Sequence, residues 1–286
     1  MLLAAILAVL AAAPHARAAA RRVVSLNACA DQLLLAMADR GQVAALTQYA
    51  RDPTLSFAAR SAVGWPTTRG DAESLWALQP DLVITTPYRR ADQLALLRGR
   101  TPVLELKPAR SFDDIVAQTR QVARALGHPE RGEALVADMR ARVARAGARA
   151  PAGTAANYQR GGLITGRDTL LDELMGRAGL KNLARGEGVP RLSLEEIVAA
   201  RPDWLIVGGP GSGGQDQGGL LLEHPALLRA VPASHRIVLP SVLTVCGGPS
   251  YPAALERLQA AVDRGRRLDA TARRVSPAPV GPHPAR

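Results

Sequence analysis

One passage of this chain occurs twice, 122 residues apart. Glu73-Ser-Leu-Trp-Ala-Leu-Gln-Pro80-Asp81-Leu-Val-Ile84 returns as Glu195-Glu-Ile-Val-Ala-Ala-Arg-Pro202-Asp203-Trp-Leu-Ile206. Each copy reads as a short amphipathic helix, a Pro-Asp break and a buried strand. The likeness extends backwards: the apolar stretch from Asp31 to Gly41 resembles the one from Asp168 to Gly179, each ending near Gly. A spacing this long is not the period of a solenoid, whose units run to roughly 20 to 50 residues. Two similar halves imply two similar lobes, and two lobes leave a cleft between them.

The first half alternates strand and helix patterns. Strands are expected at 22–26, 43–47, 81–86 and 101–106, with helices between them, the first capped by Asp31. Such alternation builds a parallel sheet covered on both faces. From Ser111 to Gly147 no strand pattern appears; Ser111 with Asp114 forms a capping signature, and one long helix, kinked near Gly127-His-Pro129, is expected. The alternation then resumes at 155–159, 168–178, 193–200, 203–207 and 236–240, and a helix at 252–263 ends the body. The expected divisions are 1–20, 21–110, 111–149, 150–263 and a tail at 264–286.

The opening Met1-Leu-Leu-Ala-Ala-Ile-Leu-Ala-Val-Leu10 is apolar but too short to span a bilayer, and it leads into an A-x-A site at Ala16-Arg17-Ala18. Residues 1–20 therefore read as an export signal despite lacking a basic start, which places the mature chain in the periplasm. No Cys follows the apolar run to carry a lipid. The formal charge of +11 suggests nucleic acid at first sight. Without Arg17 and the net +5 of the tail, only +5 remains on the body, and aromatics make up 3% of the chain, so stacking platforms for nucleic acid are excluded. The Pro-rich, apolar-poor tail is expected to be disordered. Cys29 and Cys246 can pair in an oxidising compartment or stand as two separate thiols.

Covalent catalysis finds no support. His15, His128, His224, His235 and His283 lie in the leader, in His-Pro turns, beside a strand or in the tail, and no spacing suits a resident metal or cofactor. The Gly-rich run at 208–219 lacks the Lys-Ser/Thr of a phosphate loop. Trp76 and Trp204, inside the repeated helix and strand, are expected in the core.

In order and spacing, Val23-Val-Ser-Leu-Asn27, the Glu73…Pro80-Asp81 block, Ser111-Phe-Asp-Asp-Ile115, the stretch from Gly166 to Leu174 and Glu195…Arg-Pro-Asp203 resemble the periplasmic substrate-binding proteins of ABC importers for iron chelates and cobalamin. The resemblance covers about residues 22 to 262. It implies an α/β fold of two Rossmann-like lobes joined by one long helix, with the ligand in the cleft. It also implies that Glu73 and Glu195 dock onto Arg residues of a permease dimer, an arrangement suited to a two-fold partner. Ligands of open parallel sheets bind outside the carboxyl ends of the strands. That rule selects Asn27, Cys29, Tyr49, Arg69 and Tyr88 (with Arg89 and Arg90) on one lobe, and Arg167, Cys246 and Tyr251 on the other. Arg beside Tyr suits an anionic chelate, since Arg grips carboxylates through paired hydrogen bonds. A ferric siderophore is expected first, with a corrinoid or haem behind it; Trp65 lies in the stretch where the resemblance implies an aromatic against a corrin ring, but Thr68 falls nearer that position, and packing under the loop at Gly64-Trp-Pro66 is the alternative for Trp65. A monomeric carrier is the expectation, and a periplasmic ligand sensor is the alternative from another class.

Overall fold

The computed structural model describes residues 19–87, 99–209 and 217–275. In the first lobe, β1 (Val23–Ser25), β2 (Val43–Thr47), β3 (Thr67–Thr68), β4 (Leu82–Thr85) and β5 (Val103–Glu105) form one parallel sheet in the order β3-β2-β1-β4-β5. Val23 lies opposite Val43 on one side and Leu82 on the other. The central strands are buried along their whole length, as a sheet covered on two faces requires. Helix α1 (Ala28–Met37) covers one face, burying Leu33, Leu34 and Met37; α2 (Ala72–Leu78) covers the other through Leu75.

The connector differs from the single helix expected. It is a hairpin of α3 (Phe112–Leu126) and α4 (Pro129–Ala146). Ser111 and Asp114 cap α3 reciprocally, and Gly127 ends it in the left-handed region at φ 77°. Pro129, fixed at a helical φ and needing no donor, starts α4 two residues later. The two helices meet at Gly132, where a Cβ would come within 2.4 Å of Ala123 Cβ, so only glycine permits this approach. Phe112, Ile115 and Val116 enter the core of the second lobe, whereas Val122, Ala123 and Leu126 enter that of the first. One helix thus belongs to two cores. Helix α4 runs back: Arg131 donates to Met37 O, and further on Val136, Met139 and Val143 join the second core while Arg142 pairs with Glu256.

In the second lobe β6 (Gly153–Gln159), β9 (Trp204–Val207) and β10 (Arg236–Val238) are parallel, in the order β10-β9-β6. The short strand β8 (Leu180–Asn182) runs parallel to the start of β6, and β7 (Leu163–Ile164) folds back antiparallel on its end. The reversal turns on Gly161 and Gly162, both at positive φ; a Cβ on Gly162 would meet Leu192 O at 2.5 Å. Helices α5 (Leu170–Arg177), α6 (Leu194–Ala200), α7 (Gln217–Leu220), α8 (Pro225–Ala230) and α9 (Tyr251–Val275) complete the lobe.

Helix α9 continues well past residue 264, where disorder was expected. Its extension packs. Asp269 meets His235 Nε2 at 2.7 Å, the His235 ring stacks on Trp204 at 4.3 Å, and Gly265 lies so close to Trp204 that a Cβ there would come within 2.6 Å. The residues after 275 lie outside the described ones, as do 1–18. Among the described residues no helix is long and apolar enough to cross a membrane.

The repeated passage folds twice into the same device. Asp71 caps α2 and Ser193 caps α6; Gln79 and Arg201 end those helices at the same φ of 43°, and the following Pro forbids continuation. The Asp after each Pro ties down the neighbouring strand. Asp81 accepts from the Arg21 and Arg22 N–H groups at 2.8 and 2.9 Å, and Asp203 from Thr154 N and Oγ1 at 2.7 and 2.8 Å. Both carboxylates are exposed, so water takes their place at the strand-entry donors when either is replaced by Ala, and the expected cost is about 1 kcal/mol. Urea denaturation of Asp81→Ala and Asp203→Ala checks this, and unchanged midpoints would contradict it. Trp204 is in the core as expected, its indole N–H donating to Ala152 O. Trp76 is not: it is 68% exposed, because Leu75 is the residue α2 buries, and the Arg100 guanidinium lies 5.3 Å from its ring centre.

Candidate functional site

The carboxyl ends of the first sheet deliver residues 26–27, 48–49, 69, 86–87 and 106–110 to one edge, where the loop before α9 reaches them from the second lobe. The point of contact is covalent. Cys29, in the first turn of α1, and Cys246, in that loop, form a disulfide with their Cα atoms 5.1 Å apart. The sequence left pairing and separate thiols open; the fold brings the two together across 217 residues. They therefore wall the cleft as a bridge and offer no thiols to a ligand.

Beside the bridge lies a cavity of about 220 Å³ lined from both lobes, with Asn27, Thr86, Lys107 and Gln118 facing Leu170 and Thr244. Asn27 was expected here. Its carbonyl oxygen is already engaged, accepting from the Cys29 and Ala30 N–H groups as the cap of α1. A second space of about 380 Å³ continues past Pro108 to Arg110 and Arg167, and a third of about 780 Å³ lies between Lys107, Arg110 and Gln121 of α3. All three share Pro108, so segment 107–110 is the hub of the cleft.

The other expected residues divide. Arg167 lines the second space, but its Nε donates to Arg185 O at 3.0 Å, so part of its donor fork holds a loop of its own lobe. Tyr49 is 47% exposed after β2 and does not line these spaces. Arg69 is exposed after β3, also away from them; hydrogen bonds from Ser74, aided by the Arg69 charge, hold the Asp71 carboxyl below its usual range. Tyr251 lies in the core and does not line these spaces. It is 1% exposed and stacks on Phe112 with ring centres 5.0 Å apart, because it starts α9 on the face that meets the connector, and burial pushes its phenol up. Tyr88, Arg89 and Arg90 lie outside the described residues. Trp65 is 8% exposed beneath Arg40, so its ring is spent on packing.

Lys107, Arg110, Thr86 and Gln118 were not anticipated. The signal was available: 107–110 follows directly on β5 and precedes the connector, where the chain must cross from lobe to lobe. Gln118 fastens that crossing, donating to Lys107 O at 2.7 Å. Glu73 and Glu195 occupy the second helical position of α2 and α6, both exposed, and neither forms an ion pair among the described residues. Among the described residues no three His, Cys, Asp or Glu side chains gather as a metal site.

Residues 23–243 match the family described as periplasmic binding protein. A cobalamin-binding protein of Halobacterium salinarum is 30% identical over 198 residues, covering 65% of this chain and 53% of that protein. The chain thus spans about half the length of that relative. A vitamin B12-binding protein of Pectobacterium atrosepticum is 26% identical over 205 residues, covering 66% of this chain and 72% of that one. Among solved structures, the apo form of the periplasmic heme-binding protein RhuT from Roseiflexus sp. RS-1 superposes with a TM-score of 0.68 at 29% identity, over 86% of this chain and 99% of that one. With the sequence match running from β1 to the loop after β10 and two lobes facing each other across a cleft, the chain belongs to the periplasmic binding protein family.

Proposed function

We propose that this protein is the ligand-capture component of an ABC importer, working in the periplasm after removal of an N-terminal signal, and that its cargo is a metal chelate: a ferric siderophore, haem or a corrinoid. The observation that carries this reading is the hub of the cleft, where segment 107–110 meets both lobes. Lys107, Arg110 and Arg167 border the joined spaces around Pro108 among the carboxylates Glu105, Asp114, Asp168 and Glu187, and the three cations are the groups that can pair with carboxylates at a chelate's edge. The names of the relatives support the metal-chelate class. The chain does no covalent chemistry on its cargo; it binds, presents and releases.

Titration with haemin, cyanocobalamin and ferric citrate, followed by absorbance and Trp fluorescence, is expected to give a dissociation constant in the micromolar range or below for at least one. Lys107→Glu with Arg110→Glu should weaken that binding at least tenfold. No binding to any of the three by protein with wild-type charges would sink the reading.

Delivery rests on Glu73 and Glu195, which the repeat places at equivalent helix positions on the two lobes. Trp76 lies one turn beyond Glu73, exposed, where the second lobe has Val198. Trp and Arg dominate the energetics of protein interfaces, so Trp76 with Arg100 forms part of the same docking face. The double reversal Glu73→Lys, Glu195→Lys is expected to abolish transport with cargo binding intact, and Trp76→Ala to weaken binding to the purified permease about tenfold. Wild-type transport by the double reversal would refute docking through the carboxylates; unaltered affinity in Trp76→Ala would remove only the tryptophan from the face.

A further inference from the structure

We propose that the chain is processed between Ala18 and Ala19: the export signal ends at Ala18 and the mature protein begins at Ala19, not after residue 20, where the sequence alone drew the boundary. This rests on the reading of the chain as an exported protein and fixes its processing site.

The peptidase of the export pathway takes small residues at the first and third positions before the bond it cuts. Past the apolar run, three frames satisfy that rule: Ala11-Ala-Ala13, Ala16-Arg-Ala18 and Ala18-Ala-Ala20. The first would require cutting the bond to Pro14, a tertiary amide with no N–H. The other two overlap, and the residue types do not separate them. The fold does, because only one of the two products keeps every residue that the fold uses.

Ala19 and Ala20 are built into the first lobe. Helix α3 ends at Leu126, and a helix end leaves its last four carbonyls without partners inside the helix. Two are met locally: Arg124 O accepts from the Gly127 N–H at 3.1 Å and Ala123 O from the His128 N–H at 2.9 Å. The other two are met from the start of the first lobe. Ala125 O accepts from the Ala20 N–H at 3.2 Å, and Leu126 O from Gln42 Nε2 at 2.9 Å. Gln42 Nε2 also donates to Ala20 O at 2.9 Å, so residue 20 is held by its N–H and by its carbonyl. Its methyl group is buried in the core of the first lobe. Ala19 rests against Gly127, where a Cβ would come within 2.5 Å of the Ala19 methyl.

Arg21 and Arg22 keep their bonds to Asp81 after either cut, so the contacts that discriminate are those of residues 19 and 20. Cutting after Ala20 removes the donor to Ala125 O, one acceptor of Gln42 and a buried methyl. Cutting after Ala18 removes none of these. It leaves the new amino group on Ala19, which is exposed beside an open space of about 340 Å³ bordered by Asp81 and Arg124, so the charge stays in water.

The test is expression of the full chain in a Gram-negative host, with N-terminal sequencing and intact mass of the protein recovered from the periplasmic fraction. The expected first residue is Ala19. Any other first residue in that fraction, Arg21 above all, overturns the processing site and leaves export standing. Full-length protein confined to the cytoplasm overturns the export reading and the site with it. A second comparison does not depend on export. Oxidised protein beginning at Arg21 should melt at least about 3 °C below oxidised protein beginning at Ala19, because it lacks a helix-end hydrogen bond and a buried methyl. Equal melting temperatures overturn the claim that residues 19 and 20 belong to the fold.

Discussion

Cys29→Ser with Cys246→Ser is expected to lower the stability of the protein by about 5 kcal/mol, the value the chain-entropy relation gives for a bridge that closes a loop of this length. The cysteines are 217 residues apart in sequence, so the disulfide restricts most of the unfolded chain at once. In the folded state the bridge crosses between lobes that are otherwise joined through the α3–α4 hairpin, whose apolar residues enter both cores. Its loss therefore weakens the attachment of the lobes more than the packing within either. Urea denaturation should show the midpoint of the serine variant well below that of the oxidised wild type, and wild type treated with a reductant should move to the variant's curve. Coincident curves for oxidised and reduced wild type would mean that the bridge is not formed in solution.

Asp31→Asn is expected to remove a fall in stability of up to about 3 kcal/mol between pH 4 and pH 6. Asp31 is fully buried in α1, and burial raises its pKa from 3.8 to about 6 despite hydrogen bonds from Thr47 N at 3.1 Å and Thr47 Oγ1 at 2.5 Å. The folded protein thus holds this proton more tightly than the unfolded chain does. Stability from this group is complete below pH 3.8 and is lost as pH rises through about 6, where folding must bury the charge. Two pH units correspond to about 3 kcal/mol. Asn keeps a carbonyl to accept from Thr47 N and gains an amide that can donate to Thr47 Oγ1, so the variant should overtake the wild type above pH 6. Melting temperatures of both proteins from pH 4 to pH 8 provide the check, and parallel curves would contradict it.

Much of the architecture was legible from residues alone. Pro80 and Pro202 cannot extend a helix, Asp81 and Asp203 follow them, and the two buried runs behind these breaks became β4 and β9, at the centres of their sheets or beside them. Local chemistry also marked the start of the connector, where Ser111 and Asp114 cap each other. It also marked the break at Gly127-His-Pro129, but not what the break does, because whether two helices lie end to end or fold into a hairpin depends on what each packs against. Gly132 against Ala123 decided for the hairpin. The tail shows the same limit. Its composition is too polar to form a core, yet residues 264–275 stay helical because Trp204 and His235 lend them a surface.

The candidate site was legible at the level of strand ends and not of side chains. Which loops face the cleft follows from the direction of the strands, and Asn27, Cys29 and Arg167 were found there. Whether a side chain points into the cleft or into the core depends on the partner across from it. Tyr251 turned inward onto Phe112, and Trp76 turned outward because Leu75 had filled the space beneath α2. By itself the sequence determined two α/β lobes, their repeated helix-Pro-Asp-strand device and the edge on which a ligand would sit, because periodicity, caps and prolines act within a few residues. Only the tertiary structure decided that the connector is a hairpin shared by two cores, that Lys107 and Arg110 form the hub of the cleft, and that Cys29 meets Cys246. Those are contacts between residues distant in the chain, and close packing of the whole molecule is what brings them together.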